Sequence, residues 1–321
     1  MGRTKKNKKL QKRKKEAPAA KTAQSSFFSK NWHMIVLFML AFILYANTLN
    51  HDYAQDDAIV IYDNMFTQKG IAGIPGILKN DTFYGFFKEE GKAKLVSGGR
   101  YRPFTLVMFA LEWQLFGKNP FIGHLVNIIL YGLLGLIIFN CLALLFGVKP
   151  HKKDKMFWLI WITAALYIVH PIHTEAVANI KGRDEIMSML GSMMAFWFLL
   201  KHLSDKKMKH LAAAGISYFI ALLSKENAIT FLGIIPLAFM LIRKQSFSRS
   251  IMSSWVLFAS ALAFLVLRFS VLGMDFGGTP NELMNNPFLK LAGNSYVGFS
   301  LHEKMATITF TLGKYIQLML F

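Results

Sequence analysis

Cysteine is almost absent from this sequence: Cys141 is the only one in 321 residues. No disulfide framework can form within the chain, so cysteine usage says nothing about redox compartment. Acidic residues are also scarce, with 18 Asp and Glu against 37 Lys and Arg. Charged residues of either sign make up 17%, where soluble domains carry about 25%. No tandem repeat of 20–50 residues is visible, which argues against a solenoid. No cleavage site of small residues follows the first apolar run, so that run reads as a retained span and not a signal peptide. Gly2 lacks the Ser or Thr at position 6 that N-myristoylation requires.

What is abundant is apolar. Hydrophobic residues make up 54% and aromatics 14%, with 29 Phe, and the mean hydropathy is +0.36. This composition suits lipid-facing helices and aromatic belts at the membrane interface. A transmembrane helix needs about 20 mostly apolar residues. Runs of that kind are read at 33–50, 119–147, 156–172, 185–200, 211–224, 228–242 and 251–272, with an eighth from 305 to 321. The expected fold is an all-α integral membrane bundle with about seven or eight transmembrane segments. The first outer loop, 51–118, is long, and a later outer loop covers 273–302.

The net charge of +19 suggests nucleic acid, but its distribution does not. Residues 1–30 hold 11 basic residues, and residues 1–31 are expected to be a cytoplasmic tail without fixed structure, drawn to anionic headgroups. With that tail inside, alternation makes 148–155, 201–210 and 243–250 cytoplasmic as well. Those four segments hold 22 of the 37 Lys and Arg against three acids, Glu16, Asp154 and Asp205. Every loop then satisfies the positive-inside rule. The expected partners are a bilayer and an acceptor on its outer side, with no nucleic acid. The last apolar stretch stops at Phe321 without a polar exit, so the chain is expected to be the N-terminal part of a longer protein.

The outer segments carry the groups capable of chemistry. Asp56-Asp57 follows the first span closely, and two adjacent carboxylates can bind a divalent cation or take a proton from an attacking hydroxyl. In Gly98-Gly99-Arg100-Tyr101-Arg102-Pro103-Phe104, the two guanidinium forks beside an aromatic suit a phosphate. Residues 104–116 are expected to form an amphipathic helix on the membrane, anchored by Trp113 and Phe116. His170, His173 and Glu175 precede Lys181-Gly182-Arg183-Asp184-Glu185, and read as polar lining of a cavity more readily than as a metal site. The alternative for Arg183 is pairing with Asp184 or Glu185. Ser224-Lys225-Glu226-Asn227 separates two apolar runs that are short for spans. Such a turn is either a surface hairpin or polar backbone buried in protein or facing a wet cavity. Lys225 is a further candidate for a phosphate, or a partner for Glu226. Cations to hold a leaving phosphate beside a carboxylate to activate an acceptor are what phosphate-linked sugar transfer needs. No soluble nucleotide-sugar motif is present, which fits a donor delivered by lipid.

These blocks carry a resemblance. Asp56-Asp57, Tyr101-Arg102-Pro103-Phe104-Thr105, Asn119-Pro120-Phe121 with His124-Leu125-Val126-Asn127, His170-Pro171-Ile172-His173-Thr174-Glu175-Ala176-Val177-Ala178, Gly182-Arg183-Asp184-Glu185 and Ser224-Lys225-Glu226-Asn227-Ala228-Ile229-Thr230 occur in one order from about residue 40 to 230. They resemble the transmembrane and TPR-repeat O-mannosyltransferases (TMTC) and their bacterial relatives, a branch of the GT-C glycosyltransferases. The family's later spans and TPR array have no counterpart here, and 273–300 looks like an altered form of its lumenal segment.

The resemblance implies a polytopic helical fold, an active site on the lumenal or periplasmic side, a polyprenyl-phosphate sugar donor, a protein or glycan acceptor and inversion at the anomeric carbon. It implies an acidic base or metal ligand in the first outer loop, which is Asp56 or Asp57. Arg100, Arg102, Arg183 and Lys225 are expected at the donor phosphate. Tyr101, His170, His173, Glu175 and Glu226 are expected to line the cavity. Mg or Mn is admitted as a cofactor without being required. The basic tail favours a bacterial inner membrane over the endoplasmic reticulum. The competing readings are a transporter or flippase for a lipid-linked or anionic substrate, and a non-catalytic scaffold for a C-terminal repeat domain.

Overall fold

The computed structural model describes residues 27–88, 99–148, 154–274 and 286–320. The basic run of residues 3–15, Gly98 and most of the 273–285 stretch lie outside them. The chain divides into two units, Met1–Ile35 and Val36–Phe321. In the first, the described residues begin helix α1 (Phe27–Tyr45). The second holds the rest.

Nine further α-helices of seven or more residues follow among the described residues: α2 (Pro103–Phe116), α3 (Pro120–Phe146), α4 (Lys155–Val169), α5 (Arg183–Asp205), α6 (Met208–Ser224), α7 (Phe231–Leu241), α8 (Phe247–Ser253), α9 (Trp255–Leu272) and α10 (Leu301–Leu320). The fold is an all-α membrane protein. Proline at the first helical position opens α2 and α3, where its missing N–H costs nothing. Asp154 caps α4 by accepting a bond from the Met156 amide at 2.9 Å. A small exception is the antiparallel hairpin of β1 (Leu289–Ala292) and β2 (Ser295–Gly298), which the apolar pattern does not announce. Its turn uses Gly293 at φ +63°, a left-handed value that suits glycine.

The core is built on α3, α5 and α6. Helices α5 and α6 run antiparallel, and Gly191 lets them meet: a Cβ there would lie 2.7 Å from the Ser217 carbonyl oxygen. Small residues at such crossings are the usual way membrane helices approach closely. Cys141 on α3 is fully buried and its thiol faces the Met193 carbonyl at 3.1 Å. Ser260 ties α9 to α6 through the Gly215 carbonyl at 3.0 Å. Large apolar side chains such as Ile43, Leu166, Leu237 and Leu262 remain exposed on the outside, as lipid-facing residues do.

Among the described residues, four helices are long and apolar enough to cross a membrane: Asn31–Asn50, Pro120–Phe146, Ile180–Asp205 and Trp255–Leu272. A fifth follows if Lys155–Val169 and Pro171–Ala178, bent by 46°, form one span. Length and composition of the described residues thus support four or five spans and do not confirm the expected seven or eight. Helix α6 has 17 residues, which reach about 25 Å at 1.5 Å per residue, short of a hydrocarbon core of about 30 Å. The polar turn at Ser224–Asn227 keeps α6 and α7 from merging into longer elements.

Candidate functional site

The long segment between α1 and α2, expected from the sequence to be an outer loop, is held by its own polar side chains. Asn64 donates to the Ile59 carbonyl at 3.0 Å and accepts from the Phe66 and Thr67 amides at 3.0 and 3.2 Å. Asp81 accepts from the Phe83 and Arg100 amides, both at 2.7 Å. Thr82 donates its amide to the Arg100 carbonyl at 2.9 Å, and its hydroxyl accepts from the Arg102 amide at 3.0 Å. These bonds deliver Arg100 and Arg102 to the start of α2, where Arg102 meets Asp184 at the start of α5 and Glu226 just past the end of α6.

Arg102 is the hub. Its Nε and Nη2 donate to the two carboxylate oxygens of Glu226 at 2.8 and 2.9 Å, and its Nη1 donates to Asp184 Oδ2 at 2.8 Å. Burial works against the Arg102 charge, but Glu226 and Asp184 outweigh it and hold its pKa above the ordinary value. Burial likewise acts against the Glu226 carboxylate, yet the bonds from Arg102 bring its pKa below the usual range. Lys181 completes the cluster, with Nζ 3.6 Å from Asp184 Oδ2 and 3.8 Å from Asp56 Oδ2. The second oxygen of Asp184, Oδ1, is buried and has no hydrogen-bond partner among the described residues.

The acidic pair separates into two kinds of residue. Asp57 is 1% exposed. Its Oδ2 accepts from the Ala54 amide at 2.9 Å and its Oδ1 from the Lys181 amide at 2.8 Å. It fastens the outer segment to the start of α5. Burial pushes its carboxyl pKa up against the pull of those two amides. Asp56 is open, with 53% of its side chain exposed. It lines two clefts. One is narrow and includes Arg100, Arg102, Lys181 and Asp184; the other, about 400 Å³, includes Lys181, Asp184, His173, Glu175 and Glu185.

Other expected site residues fall in different places. Arg100 lines the narrow cleft, its guanidinium 5.1 Å from the Phe83 ring centre, and burial followed by the Arg102 charge lowers its pKa. Arg183 does not reach either cleft. It is fully buried, paired with Glu112, and it donates to Asn127 Oδ1 at 2.9 Å and the Gly123 carbonyl at 3.1 Å, with Phe109 below it at 4.5 Å. Lys225 is paired with Glu185, itself a wall of the larger cleft. Tyr101 is buried and its hydroxyl donates to the Leu78 carbonyl at 2.9 Å. His170 Nδ1 accepts from the Ile172 amide at 3.2 Å, and its Nε2 lies 3.1 Å from the Met319 carbonyl. His173 packs on Tyr167 at 4.3 Å between ring centres.

Lys181 and Asp184, named in the sequence only as flanks of Arg183, are members of this site in their own right. Their spacing of three puts both on one side of a helical turn, which was the available signal. Helix α2 also departs from expectation. It has no continuous polar face: Leu106, Phe109 and Ala110 pack into the outer segment, and Glu112 turns inward to Arg183. Phe116 is exposed as an anchor would be, while Trp113 packs against that cluster. Among the described residues no group of three or more His, Cys, Asp or Glu side chains is placed to hold a metal ion. Both Asp57 oxygens accept from backbone amides, whereas the Asp56 carboxylate is open.

Comparison with known proteins agrees with the residue blocks. The chain is 34% identical over 203 residues to human protein O-mannosyl-transferase TMTC1, covering 60% of this chain and 22% of that protein. It is 29% identical over 224 residues to human TMTC4, covering 65% of this chain and 29% of the relative. A Caenorhabditis elegans protein O-mannosyl-transferase is 25% identical over 275 residues, 83% of this chain and 36% of the relative. The chain thus resembles the TMTC O-mannosyl-transferases in sequence and spans about a fifth to a third of their length. These relatives are animal proteins, which lends nothing to a bacterial assignment. No family model matches the chain, and no solved structure matches it.

Proposed function

We propose that this chain forms the membrane portion of a GT-C-type glycosyltransferase that moves a sugar, mannose by analogy with its relatives, from a polyprenyl-phosphate donor to a hydroxyl of a protein or glycan acceptor on the outer face. One observation carries the reading: Asp56 is an open carboxylate shared by two clefts, with Lys181 3.8 Å away and Arg100 on the same wall. Asp56 takes the proton of the acceptor hydroxyl. The acceptor oxygen then forms its bond to the anomeric carbon while the bond from that carbon to the phosphate oxygen breaks, inverting the centre. The electron pair leaves on the polyprenyl phosphate, whose charge is met by Arg100 and Lys181. Arg102, Asp184 and Glu226 hold these groups in place and, being paired with one another, are positioning residues. No step is routed through a metal ion.

The test is a transfer assay in membranes with radiolabelled polyprenyl-phosphate mannose, comparing wild type with Lys181→Gln and Arg100→Gln. Transfer by wild type, reduced in both variants at unchanged expression, is the expected result. Equal turnover in all three contradicts the assignment.

A further inference from the structure

A second cavity, of about 480 Å³, lies at the opposite end of the α5–α6 pair from Asp56. The two ends of α5 are separated by 23 residues, about 34 Å along the helix. The cavity is walled by the last turn of α5, the start of α6, helix α8 and the first residue of α9. Its floor is apolar, with Leu203 and Leu211, and its rim carries the exposed cations Lys206 and Arg249. Neither cation has a carboxylate partner among the described residues. Asp205 is the one acid in 201–210 and 243–250. It is already occupied by Lys207 at 3.5 Å and by His210 at 3.0 Å. Ser246 and Ser248 add hydroxyls to the lining. At the outer lip Met252 and Trp255 are 70% and 54% exposed.

We infer that this cavity is a binding site for the phosphate headgroup of an anionic phospholipid at the cytoplasmic surface. Two cations without a carboxylate partner among the described residues, together with hydroxyls, supply what a phosphate needs, and each basic residue near a membrane surface contributes about 1 kcal/mol toward an anionic lipid. The volume lies within the roughly 300–1,000 Å³ of small-ligand sites. The floor and lip favour a lipid over a free anion: Met252 and Trp255 continue the apolar surface of α9 from the cavity mouth, where an acyl chain would run, and an exposed Trp suits the headgroup level.

The experiment is native mass spectrometry of the full chain in neutral detergent, titrated with phosphatidylglycerol and, separately, phosphatidylcholine. Wild type is expected to take up phosphatidylglycerol about tenfold more tightly than phosphatidylcholine. The Lys206→Gln/Arg249→Gln pair should lose that preference, and the charge-conserving Lys206→Arg/Arg249→Lys pair should keep it. Because all variants retain the basic N-terminal run, the difference reads the cavity alone. A neutralised pair that keeps the preference overturns the inference. So does displacement of phosphatidylglycerol by millimolar inorganic phosphate, which would mark a soluble-anion site.

Discussion

Arg102 grips both carboxylate oxygens of Glu226 across 124 residues of sequence, at 2.8 and 2.9 Å, and spends a third N–H on Asp184 at 2.8 Å. The fork geometry is specific to arginine, because a lysine ammonium cannot satisfy two parallel acceptors and a third carboxylate together. Arg102→Ala should destabilise by up to about 3 kcal/mol, below the full cost of an uncompensated buried charge, because it removes the hydrogen-bonded partner of the buried Asp184 while Lys181 stays 3.6 Å away. Arg102→Lys should fall between it and wild type. Thermal unfolding in detergent measures both.

Protonation of the same network gives a pH signature. The folded-state pKa of Glu226 lies below its ordinary 4.5 because of Arg102. Its stabilising contribution is therefore complete above 4.5 and is lost as pH falls through the lower folded value. Asp57 has the opposite sign: burial raises its folded pKa above 3.8, so the folded state gains stability as pH falls toward protonating it. Wild type should thus lose stability most steeply below pH 4.5. Glu226→Gln should flatten that acid limb, while Asp57→Asn should leave it in place. Melting temperatures between pH 3 and 7 make the comparison.

Close packing of α5 on α6 sets where Asp184 and the 224–227 turn stand. An added methyl at Gly191 would sit 2.7 Å from the Ser217 carbonyl oxygen, a backbone atom that cannot swing aside. Gly191→Ala should destabilise by about 1–3 kcal/mol, and Gly191→Val should prevent a stable fold. Yield of monodisperse protein in detergent and its melting temperature distinguish these outcomes from a neutral substitution.

Much of this architecture can be read from residue order, and the parts that cannot have physical reasons. The apolar runs mark helices because each needs its own length of nonpolar sequence, and α3 at Pro120–Phe146 falls within a residue of the run at 119–147. The turn at Ser224–Asn227 interrupts the apolar sequence, which leaves its depth open between a surface hairpin and a buried turn; in the fold Ser224 is fully buried and Asn227 is exposed. Span count is harder, because a run of 17 residues is compatible with either a short crossing or a buried helix. The roles of charged residues are harder still. Arg183 and Asp184 are neighbours in sequence, yet one faces Glu112 in the interior and the other faces the clefts. That choice depends on how α5 is rotated against α2, which no local pattern encodes. Asp56 and Asp57 are equivalent in the sequence and opposite in the fold, because two backbone amides, one of them 124 residues away, claim Asp57.

That last distinction is the most direct test of the account. The measurement is sugar transfer from radiolabelled polyprenyl-phosphate mannose by Asp56→Asn and Asp57→Asn, each paired with a melting temperature in the same membranes or detergent. Asp56→Asn should lower the rate by about 10²–10⁴-fold with an unchanged melting temperature. Asp57→Asn should lower the melting temperature, with activity falling only as far as the folded fraction falls. A fully active Asp56→Asn variant, or an Asp57→Asn variant that folds as well as wild type and is inert, would contradict the assignment of Asp56 as the base.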